Sequence, residues 1–197
     1  GGHGITAWGD TSDEAEANSS WIIATAAAYI AEHGKTDPFG GVRPGFEALP
    51  EAERRTKAAA LAATIRGLAS TDKPMVGHFT DAEVVLEFLA SEKAPALAEL
   101  GTSCPDHFLR TKVKPMLLDL PADASIEDSI ARLTELHELY RADYQAYYDA
   151  HATADSPAIR GADPLIVLVP GVGMFSYGAN KQTARVAGEF YVNAINV

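Results

Sequence analysis

Apolar residues recur at helical spacing in several long blocks of this chain and run without interruption in one short one. The first block, 11–34, opens on Thr11 with Glu14 three positions on, a capping-box pairing. Asp13, Glu14 and Glu16 crowd its first turn, where the helix dipole favours negative charge. Trp21, Ile22, Tyr29 and Ile30 continue the block, and Gly34 supplies a stop signal. A second helix is expected over 50–68, with Pro50 at its start and a run of alanines from Ala58 to Ala63 broken only by Leu61. Residues 75–79 read as a short strand, and Asp81 as the cap of a helix through Leu89. Residues 108–120 read as extended, broken by Pro115 and ended at Pro121. The longest helix is expected from Ser125 to about Ala152. There Ile126, Ile130, Leu133, His137, Tyr140, Tyr144 and Tyr147 follow one another by steps of three and four along one face. Residues 165–169 are continuously apolar, as in a strand buried on both sides. A last helix starts near Asn180 and runs to the end of the chain. Strands alternating with helices give an α/β class, with a mixed sheet covered by helices in three layers (α/β/α). The stretch from 35 to 50, with Pro38, Gly40, Gly41, Pro44 and Gly45, has the composition of a linker or long loop.

One local pattern occurs twice. Gly2-His3-Gly4-Ile5-Thr6-Ala7-Trp8-Gly9 aligns with Gly171-Val172-Gly173-Met174-Phe175-Ser176-Tyr177-Gly178. A polar residue two positions past the last glycine, Thr11 or Asn180, can cap the helix that follows, and Ala15 and Ala184 fall at equivalent places. Two related strand–turn–helix units are expected, the second with Val172 where the first has His3. Valine cannot bind a metal.

The chain has 197 residues, 47% of them apolar and 22% charged, which is ordinary for a globular protein. Its formal net charge of -11 repels phosphate backbones, so neither nucleic acid nor an anionic membrane is an expected partner. The longest apolar run is too short to span a bilayer, and no basic-then-apolar leader opens the chain. Cys104 is the single cysteine, so an internal disulfide is excluded and a cytoplasmic location is expected. The chain begins in Gly-Gly-His-Gly without a methionine and ends inside an apolar helical pattern, as an internal piece of a longer polypeptide would.

Few residues carry obvious chemistry. His3, set between glycines that leave room around its ring, is a metal-ligand candidate, although a catalytic zinc usually takes three protein ligands. If 108–114 is extended, Arg110, Lys112 and Lys114 share one face and could hold a phosphate; a solvated edge strand protected by charge explains the same pattern. Cys104 with His107 lacks an orienting acid. His137 sits on an apolar helix face and reads as a core histidine. Tyr140, Tyr144, Tyr147 and Tyr148 read as packing or a subunit contact rather than as a sugar platform. Gly171-Val172-Gly173 follows a strand, but Tyr177 breaks the glycine spacing that a dinucleotide site needs.

The opening Gly1-Gly2-His3-Gly4-Ile5-Thr6-Ala7-Trp8-Gly9-Asp10-Thr11 resembles the last metal-ligand motif of zinc-dependent class II aldolases. Pro105-Asp106-His107-Phe108-Leu109-Arg110-Thr111-Lys112, Val169-Pro170-Gly171-Val172-Gly173-Met174-Phe175 and 187–195 resemble a narrower group, the bifunctional rhamnulose-1-phosphate aldolase/short-chain dehydrogenase proteins. That resemblance implies a parent enzyme that cleaves a ketose 1-phosphate into dihydroxyacetone phosphate and an aldehyde. It implies a zinc held by three histidines, a Glu that handles the proton, and a homo-oligomer. His3 would be one zinc ligand, and the family's His-any-His pair and its Glu would lie upstream of Gly1. NAD would belong to a dehydrogenase part beyond Val197. The resemblance divides the chain into the end of an aldolase core at 1–34, a linker and helix at 35–70, and a second α/β unit at 71–197, a degenerate repeat. The competing expectation is a non-catalytic scaffold joining the aldolase and dehydrogenase parts.

Overall fold

The computed structural model describes residues 4–35 and 37–197. It divides into two compact units, Gly1–Pro38 and Phe39–Val197. In the first unit, residues 4–9 carry no regular structure and lead into helix α1, Ser12–His33. Thr11 caps it, its hydroxyl accepting from the Glu14 amide at 3.2 Å. The Glu14 carboxylate reaches back to the Asp10 amide at 2.8 Å, so the capping box closes one residue before the cap itself. Gly34 ends the helix at φ -68 rather than in the left-handed turn that a glycine there suggests. Its N–H donates to the Ile30 carbonyl at 2.7 Å, and a Cβ would collide with that oxygen.

The second unit holds the sheet. Its helices are α2 (Glu51–Leu68), α3 (Glu83–Ala90), α4 (Ala94–Leu100), α5 (Pro105–Thr111), α6 (Ile126–His151) and α7 (Lys181–Asn196). Its strands are β1 (Val76–Thr80), β2 (Met116–Leu117), β3 (Ile166–Val169) and β4 (Gly173–Gly178), in the order β1-β4-β3-β2. β4 pairs antiparallel with both β1 and β3, while β2 joins β3 in parallel. The pleat sends alternate residues of β3 to opposite faces. Val167 and Val169 enter a core with Leu61 and Ile65 of α2 and Leu133 of α6. Ile166 and Leu168 enter a second core with Val85 and Phe88 of α3 and Ala187 and Tyr191 of α7. The fold is therefore α/β, with helices on both faces of a mixed sheet. The apolar run at 165–169 is a strand buried on both sides.

Several expected elements differ in detail. Residues 108–111 are helical, not extended. Pro105 occupies the first turn of α5, and the extended stretch shrinks to the two residues of β2. Asp81 does not cap α3, whose cap position is Ala82; its carboxylate pairs with Arg54 at 3.0 Å instead. Between the apolar run at 165–169 and the last helix, where the periodicity marks no further strand, β4 forms the middle of the sheet's antiparallel half. α2, grouped by composition with the linker at 35–70, shares its core with the strands that follow it.

Two strand–turn–helix units are expected, but only the second copy forms a strand, β4, while residues 4–9 form none; what the two copies share is the geometry of their glycines and helix starts. Gly4 and Gly173 occupy equivalent positions and both have positive φ, +122 and +140. A Cβ on Gly9 would lie 2.5 Å from Cβ of Glu14 and 2.7 Å from the Ala15 amide nitrogen. One on Gly178 would lie 2.8 Å from Cβ of Thr183 and 2.5 Å from the Ala184 amide nitrogen. Asn180 caps α7 through a 2.9 Å bond from the Thr183 amide, as Thr11 does for α1. Each unit thus folds its segment against the first turn of its helix, and only glycine permits that approach.

Candidate functional site

The second unit carries a cleft of about 580 Å³. Its floor is the end of β4 and the start of α7, at Tyr177, Gly178, Ala179 and Thr183. One wall is α5 with Phe108, Leu109, Arg110 and Lys112; another is α6 with Tyr144, Tyr147 and Tyr148. The loop 157–165 and the turn after α2, with Asp72 and Lys73, close it. Tyr148 ties two of these walls together by donating to the Pro157 carbonyl at 2.7 Å.

A polar network anchors one side. Asp163, 6% exposed, accepts from the Thr71 hydroxyl at 2.5 Å, the Asp72 amide at 2.9 Å and Nε2 of His137 at 3.1 Å. Arg141 donates to Asp163 as well and reaches Asp72 at 2.9 Å. Burial alone would raise the Asp163 pKa; these donors outweigh it and hold the carboxyl below its ordinary value. Asp72 is held at about 2, chiefly by its hydrogen bonds from Arg141, helped by the amides of Ala162 and Asp163. Gly161, at φ +106, runs so close beneath that a Cβ would lie 2.7 Å from the Asp72 carboxylate. His137 is thus a buried, partnered core histidine on α6.

Lys112 reaches into this setting. It follows the last turn of α5 and, at φ 62, has the one left-handed backbone outside glycine among the described residues. Thr111 braces the turn, its hydroxyl donating to the carbonyls of His107 and Lys112 at 3.1 Å each. The Lys112 amine donates to the Gly161 carbonyl at 2.8 Å and lies 4.2 Å from the centre of the Tyr144 ring. Burial drives its pKa down to about 8, with Asp163 and Asp72 opposing the shift.

The other expected site residues separate. Arg110 lines the cleft on the exposed side of α5, with Lys73 and Arg160 elsewhere on the rim. Lys114 does not join them; it is paired with Glu99 at 2.8 Å and Asp143 at 3.0 Å. Arg110 and Lys112 therefore meet through a helix end rather than along a strand face. His3 lies outside the described residues. Its counterpart Val172 is fully buried in the core. Among the described residues, no group of three or more His, Cys, Asp or Glu side chains could hold a metal ion. His107 stacks on Phe190 at 4.5 Å, with Ser103 at 3.4 Å from its ring nitrogen, and Cys104 caps α5.

Tyr144, Tyr147 and Tyr148, read from the sequence as packing, form a wall of the cleft. Lys73, Arg160, Asp72 and Asp163 carried no sequence signal. Asp72 and Asp163 are 91 residues apart and are joined only by the fold. The cleft can present cations to an anion at its rim, ring faces to an apolar or sugar surface, and one amine from its interior.

No helix among the described residues is long and apolar enough to cross a membrane. No solved structure matches the chain. A curated relative, the uncharacterized oxidoreductase YuxG of Bacillus subtilis (strain 168), is 34% identical over 197 residues. That match takes in 99% of this chain and 28% of the relative, so the chain spans little more than a quarter of that protein's length. The family described as aldolase class II, second domain, matches residues 56–197 and so takes in every element of the sheet. The chain belongs to the class II aldolase second-domain family.

Proposed function

We propose that this chain is part of a metal-dependent aldolase that cleaves a ketose 1-phosphate, such as rhamnulose-1-phosphate, into dihydroxyacetone phosphate and an aldehyde. The parent polypeptide would also carry a short-chain dehydrogenase part that uses NAD; the oxidoreductase name of the longer relative is compatible with such a fusion. The cleft's role is to hold the phosphorylated substrate, with Arg110 engaging the phosphate at the rim and the Lys112 amine set deeper in the same cleft. One observation carries this. In a chain of net charge -11, the exposed cations Lys73, Arg110 and Arg160 gather on one rim, around a wall of tyrosines, inside the segment that matches the aldolase family. Arginine suits the task because its planar fork matches two phosphate oxygens at once.

Class II aldolases generally depend on zinc, which acts as a Lewis acid on the substrate's oxygens. The described residues do not supply a donor set for it. No part of the carbon–carbon cleavage is therefore assigned to them, and the isolated chain is expected to be inactive. In the longer protein, Arg110→Ala is expected to raise the Michaelis constant for the ketose 1-phosphate about ten-fold or more with kcat nearly unchanged. That is the size of one charge-assisted hydrogen bond.

A second reading is favoured by Val172, buried where the first unit's pattern has His3. On it the second unit is a scaffold between the aldolase and dehydrogenase parts. An unchanged Michaelis constant in Arg110→Ala would select that reading over substrate binding.

A further inference from the structure

We propose that Lys112 is a reactive amine that captures an aldehyde in the cleft as a reversible imine. The proposal rests on reading the cleft as a ligand site, but not on which group its rim holds. Three geometric features single out this lysine. Its side chain enters the cleft beside Tyr144 and the Gly161 carbonyl. Its backbone is held left-handed, a strained conformation that tends to persist at functional positions. And among the described residues its amine has one hydrogen bond, to a carbonyl, with no carboxylate within ion-pair distance: Asp72 and Asp163, which face it, are committed to Arg141 and the backbone amides.

Contrast with Lys57 sharpens the point. Lys57 is more deeply buried, yet its amine is spent on two carbonyls, Ala122 at 2.8 Å and Ala124 at 2.6 Å, and it lies outside this cleft. Lys114 is paired with two carboxylates. Lys112 combines partial burial, access from a cavity and a single hydrogen-bond partner among the described residues. The charged groups around it oppose one another, since Asp163 and Asp72 favour the ammonium form while Arg141 and Lys73 disfavour it. Burial decides the balance and brings the pKa to about 8. A sizeable fraction is then neutral amine near neutral pH, the form that attacks carbonyls.

The step balances without a further reactant. The neutral amine's lone pair adds to the aldehyde carbon, and the carbonyl oxygen becomes a hydroxyl. That oxygen then leaves as water with the two amine hydrogens, and a C=N bond remains. Hydrolysis runs the same path backward and returns the aldehyde. An amine placed here would retain an aldehyde of the kind the proposed cleavage releases.

The test is reductive trapping on the full chain. Glycolaldehyde or glycolaldehyde phosphate is added with sodium cyanoborohydride between pH 6 and 10, and adducts are mapped by peptide mass spectrometry. At pH 8 the Lys112 adduct is expected to form roughly ten-fold or more faster than the adduct at the exposed Lys181, because burial shifts Lys112 toward the neutral form that attacks carbonyls. Its rate should level off above about pH 8. Lys112→Gly, which suits the left-handed backbone, should lose the adduct while circular dichroism shows the fold retained. Labelling of Lys112 no faster than Lys181 overturns the proposal, even if a phosphorylated ligand binds through Arg110. Equal trapping of the neutral and phosphorylated aldehydes at Lys112 upholds it and counts against the phosphate reading of the rim.

Discussion

Glycines 9 and 178 show how single atoms set this architecture. At each, the chain passes so close to the first turn of the following helix that a Cβ would press into its backbone. Gly178→Ala is expected to destabilise the second unit by about 1–3 kcal/mol, as overpacking against atoms that cannot move aside does; thermal unfolding measures it. Asp72 makes a pH prediction of definite sign. Its folded pKa of about 2 lies below the roughly 3.9 of an unfolded aspartate. Its contribution is therefore present above about pH 4 and is lost as pH falls through about 2. Asp72→Asn should flatten that part of the stability profile, seen in denaturant unfolding at pH 2 to 5. A profile unchanged in slope would show that Arg141 does not hold the carboxylate as the geometry indicates.

Among the elements, those whose signals are local were the legible ones. Thr11 and Ser125 each place an acceptor over the first turn of a helix, and both caps form where their spacing implies. Asn180→Ala should cost about 1 kcal/mol through the same bond on α7. The three-and-four spacing from Ile126 to Tyr147 marks one long helix, and Leu133 on it is fully buried. Leu133→Ala is expected to cost roughly 2–5 kcal/mol in chemical denaturation. Within the stretch 108–120, expected to be extended, residues 108–111 are helical because Pro105, upstream of it, opens the first turn of α5. β4 escapes the pattern because both its faces are buried, so no apolar–polar alternation marks it, and the glycines at its ends, Gly173 and Gly178, signal turns. The cleft was legible only in part. Arg110 and Lys112 stand out as cations in an acidic chain, but their meeting with Arg160, Lys73 and the tyrosines depends on long-range folding. Asp72 and Asp163 meet only because the turn after α2 lies against the loop before β3.

For the whole molecule, the family fixes the fold's affiliation and leaves the substrate to be determined. The sheet, both cores and the cleft fall almost entirely within the matched segment 56–197. The cleft's rim cations supply a physical reason for a phosphorylated ligand, and such binding should weaken with added salt as screening rises. The most direct test is calorimetric titration of rhamnulose-1-phosphate into the full chain and into Arg110→Ala. One site per chain is expected, with salt-sensitive affinity that falls about ten-fold on losing the guanidinium. No binding, or equal affinity in the two proteins, would contradict the cleft as the place where the substrate's phosphate is held.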